Sequence, residues 1–279
     1  MSAAVFDREA VMDKPADVRA YVSASRLNLW LKCPLAFKLK YIDRIREPAM
    51  PALLLGKAVH AALECFYRHR QLGVALGRDE LVRRLIESWG PLLDSEGTTF
   101  ESTAQEAACL KQAADLVTAY LTTVPASEPR PLAVEVSAEA PLVDPATGED
   151  LGIPLVGIMD LVLPERTGAL IADFKTAAKN GVPFEIVHEV QLSCYAYLFR
   201  CSSPLRETGL EIRSLVKTKV PQVQFHRYPA RDEHHFGRLF AVIRAYLDNL
   251  DSGRFVFRPG FMCAACEFRD THCRSWAGS

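Results

Sequence analysis

The feature that most limits what this chain can fold into is a change of hydrophobic period near residue 130. Before it, apolar residues recur at helical spacing. Ser23 or Ser25 can cap a first helix carrying Leu27, Trp30, Leu31, Pro34 and Phe37 up to Tyr41, with Pro34 forcing a kink or restart. Further helices are expected over roughly 54–72, 78–93 and 101–123. After the break from Pro125 to Pro131 the period becomes two. AVEVSAEAPLV, PLVGIMDLVL, ALIADFKT, EIRSLVKTKV and VQFHRYP read as strands, with helices predicted over PFEIVHEVQLSCYAYLF and from about Arg231 to Leu250.

No stronger boundary divides the chain. Residues 1–22 lack a clear period and are expected to form a flexible arm, and 23–279 a single domain: mainly helical over 23–130, an α/β core over 131–255, and a cysteine-rich segment over 256–279. At 279 residues and 49% hydrophobic, the chain can bury one substantial core. It carries no apolar run near the roughly 20 residues of a membrane helix, and its start lacks a secretory signal pattern. No membrane association is expected, and the compartment expected is the cytoplasm. A net charge of −1 means that any nucleic-acid partner must be held by local basic patches and metal ions. The GKA at Gly56 to Ala58 lacks the upstream glycine of a phosphate-binding loop, so no ATP-driven motor is encoded.

Two acidic strands carry the chemistry. In the strand period Ile171, Asp173 and Lys175 share one face, and Leu170, Ala172 and Phe174 the other. A turn of two residues at Arg166 and Thr167 places Asp160 across from Asp173, with side-chain roots about 5 Å apart; a turn of three, with Gly168 left-handed, shifts the register by one. The acid-facing register is preferred. A bare DxK is common as surface charge, but these aspartates sit in otherwise apolar strands, where an unpaired charge is costly. Two hard carboxylates suit Mg²⁺ or Mn²⁺, and Lys175 can orient a water or stabilise charge on a phosphorane-like transition state.

Four motifs occur in order: LLLGKAVHAALE with His60, GIMDLV with Asp160, DFKT with Asp173 and Lys175, and QLSCYAYL with Gln191 and Tyr195. In this the chain resembles the RecB-like, CRISPR-associated-exonuclease-like branch of the PD-(D/E)XK nuclease superfamily. The resemblance implies a restriction-endonuclease-like fold, a central mixed sheet flanked by helices. It implies His60, Asp160 and Asp173 as ligands of Mg²⁺ or Mn²⁺, Lys175 as a catalytic residue, and Gln191 and Tyr195 beside the DNA strand. Taken alone, His60 reads as a partly buried structural histidine, and the pair Gln191 and Tyr195, one helical turn apart, as packing on the sheet. Glu135 and Glu139 are candidate supporting acids, Glu135 matching the family's upstream strand glutamate.

Cys263, Cys266 and the following Cys273 have metal-ligand spacing, but three thiolates leave a tetrahedral site incomplete. The same resemblance offers Cys33, whose CP dipeptide with flanking aromatics is similar to the N-terminal cysteine of relatives that hold a four-iron, four-sulfur (4Fe-4S) cluster. Such a cluster would tie the N-terminal helical region to the C-terminus. Zinc is the alternative occupant. Cys65, Cys109, Cys194 and Cys201 lie in apolar helical stretches and read as core.

Around Cys33, Lys32, Lys38, Lys40, Arg44 and Arg46 are interleaved with Trp30, Phe37 and Tyr41, a composition suited to single-stranded backbone contacts with base stacking, or equally to a solvated basic helix face. Arg213, Lys217 and Lys219 share a strand face and offer a second contact. The resulting expectation is a metal-dependent DNA nuclease, an exonuclease on single strands by resemblance, with helicase, recombination or CRISPR proteins as partners. The rival is a non-catalytic iron–sulfur DNA-binding subunit.

Overall fold

The computed structural model describes residues 17–178 and 185–278. Its elements are α1 (Ala24–Lys32), α2 (Pro34–Phe37) running into a π-helical turn (Lys38–Ile42), α3 (Pro51–Gln71), α4 (Arg78–Glu96), α5 (Thr103–Thr123), β1 (Ala133–Val143), β2 (Asp150–Glu165), β3 (Gly168–Ala177), α6 (Glu185–Ser202), β4 (Glu207–Val216), β5 (Gln222–Pro229) and α7 (Glu233–Ser252). The local signals act where the sequence places them. Ser23 accepts the backbone N–H of Arg26 at the start of α1, Ser102 accepts that of Gln105 at the start of α5, and Pro34 restarts the helix after Cys33.

The five strands form one mixed sheet in the order β1-β2-β3-β4-β5, antiparallel throughout except for the parallel pair β3 and β4. That parallel pair needs a crossover, and α6 supplies it. Because strand side chains alternate, β2 and β3 feed two cores. Leu161, Leu163, Leu170, Ala172 and Phe174 pack beneath α3, α4 and α5, whereas Val162 and Ile171 pack with α1, α6 and α7. The N-terminal helices are therefore split between the two faces of the sheet and do not form one cap.

The β2–β3 turn has two residues, with Glu165 paired to Gly168 and Leu161 to Ala172. Gly168 is required by crowding and not by a left-handed turn: a Cβ there would lie 2.2 Å from the carbonyl oxygen of Arg206. Gly157 opens GIMDLV because α6 crosses close above it, with Leu198 Cδ1 2.7 Å from where a Cβ would stand.

The arm expected over 1–22 falls outside the described residues up to 16, but its last part is pinned. Val22 is fully buried and exchanges backbone hydrogen bonds with Pro154 (2.9 Å) and Val156 (2.8 Å), and Arg19 pairs with Asp251. Two proposed nucleic-acid contacts are also corrected. Phe37 is wholly buried against Tyr246, and Trp30 donates its indole N–H to Asn249 at 2.6 Å, so these rings build the core and are not free to stack on bases. Arg213 is buried too, between Glu211, Glu128, Tyr67 and Tyr120. Of the four cysteines assigned to the core only Cys194 is buried, and Cys201 is exposed. Among the described residues, no helix is long and apolar enough to cross a membrane.

Candidate active site

Three neighbouring strands bring three acids into one row. Asp160 follows the last ladder pair, Leu161 with Ala172, so the same register sets it opposite Asp173. On its other side the pairs Val134 with Leu161 and Val136 with Met159 bracket Glu135, which therefore faces Asp160 across β1 and β2. The ladder yields to the carboxylates here. Asp160 Oδ2 accepts the backbone N–H of Phe174 at 2.8 Å, and Glu135 sits at φ 47°, a left-handed conformation rare for a residue with a side chain.

The flanking helices complete the group. His60 on α3 places Nδ1 3.6 Å from Asp160 Oδ2, with its ring edge-on to Phe174. From α6, Gln191 Nε2 donates to Asp173 Oδ1 at 2.8 Å and the Tyr195 hydroxyl donates to the same oxygen at 3.4 Å. Lys175 Nζ lies 2.6 Å from Asp173 Oδ2. His60, Asp160, Lys175 and Tyr195 all line a cavity of about 600 Å³ between α3 and the end of the sheet.

Burial, and secondarily the Asp173 carboxylate, push the Asp160 carboxyl above the usual range. Burial works against the Lys175 ammonium, but Asp173 and Asp160 outweigh it and hold its pKa above the ordinary value. Burial and the same two acids hold the Tyr195 hydroxyl well above its normal pKa, so it remains a donor. Negative charge is thus concentrated in a poorly solvated space.

One ligand atom each from His60, Glu135 and Asp160 lies within 4.8 Å of the others. Adjacent ligands of an octahedral ion with bonds of about 2.1 Å stand roughly 3 Å apart, so a small inward movement would seat one. Two carboxylates and an imidazole suit Mg²⁺ or Mn²⁺, and an ion would relieve the cost of ionising Asp160. The expected ligand set is thus brought together in part. His60 and Asp160 meet, and Glu135 joins them where Asp173 was expected. Asp173 stands beside the group, with one oxygen engaged by Gln191 and Tyr195 and the other against Lys175. Glu139 is exposed and lies outside the group.

The four cysteines converge elsewhere. After α7 the chain returns to α2 and buries Phe268 against Leu35, Ala36 and Leu39, with Cys33, Cys266 and Cys273 at the border of this small core. Cys33 Sγ accepts the Arg258 N–H at 3.4 Å, and Cys263 Sγ is 4.0 Å from the Arg258 carbonyl. Burial first, then the neighbouring Cys33, Cys266 and Cys263, pushes the Cys273 thiol up.

A solved structure of similar fold is that of a protein named "Putative exonuclease" from Eubacterium rectale, which is 13% identical, with 95% of this chain and 93% of that one aligned at a TM-score of 0.58. The crystal structure of SSO0001 aligns over 96% of this chain and 92% of its own at 12% identity and a TM-score of 0.45. No curated protein matches the sequence. The model of the PD-(D/E)XK nuclease superfamily matches residues 21–274, a span that contains the acidic row, its lysine, both flanking helices and all four clustered cysteines, and this chain belongs to that superfamily.

Proposed function

We propose that this protein is a divalent-metal-dependent deoxyribonuclease that degrades single-stranded DNA from its ends. The observation that carries the reading is the meeting of His60, Glu135 and Asp160 beside the ion pair of Asp173 and Lys175. His60, Asp160 and Glu135 would hold Mg²⁺ or Mn²⁺, with Asp173 opposite Asp160 on β3 as the further ligand that the motif resemblance implies. Bound there, the ion would polarise the phosphoryl oxygen and acidify a water. The Lys175 ammonium, kept charged by its acids, orients the attacking water and offsets charge on the phosphoryl oxygens. Gln191 and Tyr195 hold Asp173 in place and lie beside the strand at the scissile bond. The preference for single strands and for ends rests on the motif resemblance, and the name of the Eubacterium rectale protein of similar fold agrees with it.

Cys33, Cys263, Cys266 and Cys273 are read as the ligands of a 4Fe-4S cluster. Three thiolates on one zinc ion, at Zn–S distances of about 2.3 Å, stand roughly 3.8 Å apart. Among the described residues the only group of three or more ligand atoms within 4.8 Å of one another is that of His60, Glu135 and Asp160, so the thiols are spread more widely than one ion would draw them. The preference for a polynuclear cluster over zinc rests on the motif resemblance around Cys33. Thiolate ligands and a DNA substrate both fit the cytoplasm, with a helicase or a recombination or CRISPR complex as partner.

The test is end-labelled single-stranded DNA, duplex DNA and RNA incubated with Mn²⁺ or Mg²⁺, comparing the wild type with Asp160→Ala and Asp173→Ala. Ladders shortening from one labelled end, abolished in both variants, are expected. Equal degradation by the variants, or none by the wild type in any divalent metal, would overturn the assignment, and the latter outcome with DNA binding retained would favour the non-catalytic subunit. Anaerobic purification should give a brown protein containing iron; a colourless protein with stoichiometric zinc would refute the cluster.

A further inference from the structure

His188, Gln191 and Tyr195 fall on one stripe of α6, each a helical turn from the next. Gln191 and Tyr195 reach down to Asp173, so His188 overlies the sheet one turn further along, toward Lys175. The strand register carries this region outward to the edge strand. Asp173 pairs with Ile212 and Ile212 with His226, while Lys175 pairs with Ser214 and Ser214 with Gln224. Val223 and Phe225 pack beneath α3, α4 and α5, and Tyr228 packs into the core under α6. Gln224 and His226 therefore project toward α6, on the same side as His188.

Gln224 Oε1 and His226 Nε2 are buried and have no hydrogen-bond partner. Side by side on one strand face, these two residues thus turn polar atoms that no other protein group satisfies toward α6. The surroundings are basic. Burial holds the His188 imidazole below its ordinary pKa, with Lys175, His226 and Lys32 adding to the effect against the pull of Asp173. Lys32 closes α1, which packs against α6, and is exposed. None of these three side chains lines the cavity that holds His60 and Asp160.

We propose that His188, His226 and Lys32, with the Gln224 amide, form a second phosphate subsite that grips the nucleic-acid strand one to two nucleotides from the scissile bond, on the side of Lys175 away from His60. Two strand spacings separate Asp173 from His226, about 10 Å, which matches that displacement along a single strand. Imidazole N–H groups and the lysine ammonium donate to the non-bridging oxygens, and the Gln224 amide, whose two ends can exchange, takes the remaining contact. The subsite positions substrate and does not touch the reacting atoms. It rests on the nuclease reading above, and it gives the site a polarity, with the held strand running from the acidic row toward β5.

The test uses the full-length protein with a fluorescent oligo(dT), with Ca²⁺ in place of Mn²⁺ for binding, followed by steady-state cleavage with Mn²⁺. His188→Ala and His226→Ala should each weaken binding by about tenfold and raise KM in step, with kcat within about twofold. Lys32→Ala should also reduce the slope of log affinity against log salt by about 0.7, the value for one phosphate contact on a single strand. His226→Gln, which keeps an N–H donor, should recover most of the binding, separating a lost contact from a damaged fold. Unchanged affinity in Lys32→Ala and both alanine variants, a loss confined to kcat, or no recovery in His226→Gln at wild-type thermal stability would each overturn the subsite. If the wild type neither binds nor cleaves the oligonucleotide, it is the nuclease reading that fails.

Discussion

Glu135 faces Asp160 across β1 and β2 from a left-handed backbone conformation, φ 47°, inside an otherwise regular strand. Such a conformation costs about 1–3 kcal/mol in a residue with a side chain and persists only where the surroundings impose it. Replacing Glu135 with glycine separates the two consequences. Glu135→Gly should lose cleavage by about 100-fold, the scale for removing one preorganised electrostatic group, while gaining about 1 kcal/mol in urea unfolding of the metal-free protein. Loss of stability together with activity would count against the strain account.

Arg213 lies between the sheet and the α3–α5 layer, with Nη1 2.7 Å from Glu128 and 2.7 Å from the Tyr120 hydroxyl, and Nε 2.7 Å from Glu211. Removing one member of a buried charged network strands the others. Arg213→Met should therefore destabilise the fold by about 3–5 kcal/mol, read from the denaturation midpoint. A small effect on unfolding with a large one on DNA affinity would return Arg213 to the nucleic-acid surface.

Asp232 caps α7 by accepting the His235 backbone N–H at 3.0 Å, and that bond, with the His235 ring, lowers its carboxyl pKa to about 2. A folded-state pKa below the unfolded one adds stability that is present above the unfolded value, near 3.8, and is lost as pH falls through about 2. Asp232→Ala should thus melt below the wild type at neutral pH, with the gap narrowing steadily below pH 4. Asp232→Asn keeps the cap without the charge and should track the wild type with a flatter pH dependence.

If the cysteines close a cluster, Cys33 and Cys263 bound a loop of about 230 residues, for which chain-closure arithmetic suggests up to about 5 kcal/mol. Cys33→Ser should lose iron and expose the segment after α7 to protease first, while the sheet keeps its circular dichroism. Retention of iron would remove Cys33 from the ligand set.

Much of this architecture is legible in the sequence. Period-two runs mark all five strands, Pro34 marks the break between α1 and α2, and the two-residue turn at Arg166 and Thr167 sets Asp160 opposite Asp173. The environment of individual charges was harder to read. Arg213 alternates on β4 as a surface residue would, and nothing local announces that Glu128, Tyr67 and Tyr120 converge on it from distant elements. The part played by Glu135 depends on a backbone outlier that hydrophobic pattern does not encode. His188 could have been found, because the stripe through Gln191 and Tyr195 extends to it one turn earlier.

The strand order has a consequence for biogenesis. Every strand from β2 onward pairs with the one made just before it, so the sheet can be laid down in sequence as the chain leaves the ribosome, with little waiting for distant segments. His60, Glu135, Asp160 and Lys175 precede the second half of the sheet, whereas the docking of α1 on α7 and of Cys33 beside Phe268 must wait until those later segments have been made. The acidic row can therefore assemble before the sheet is complete, whereas the clasp between Cys33 and the cysteine-rich segment forms only once that segment has been made.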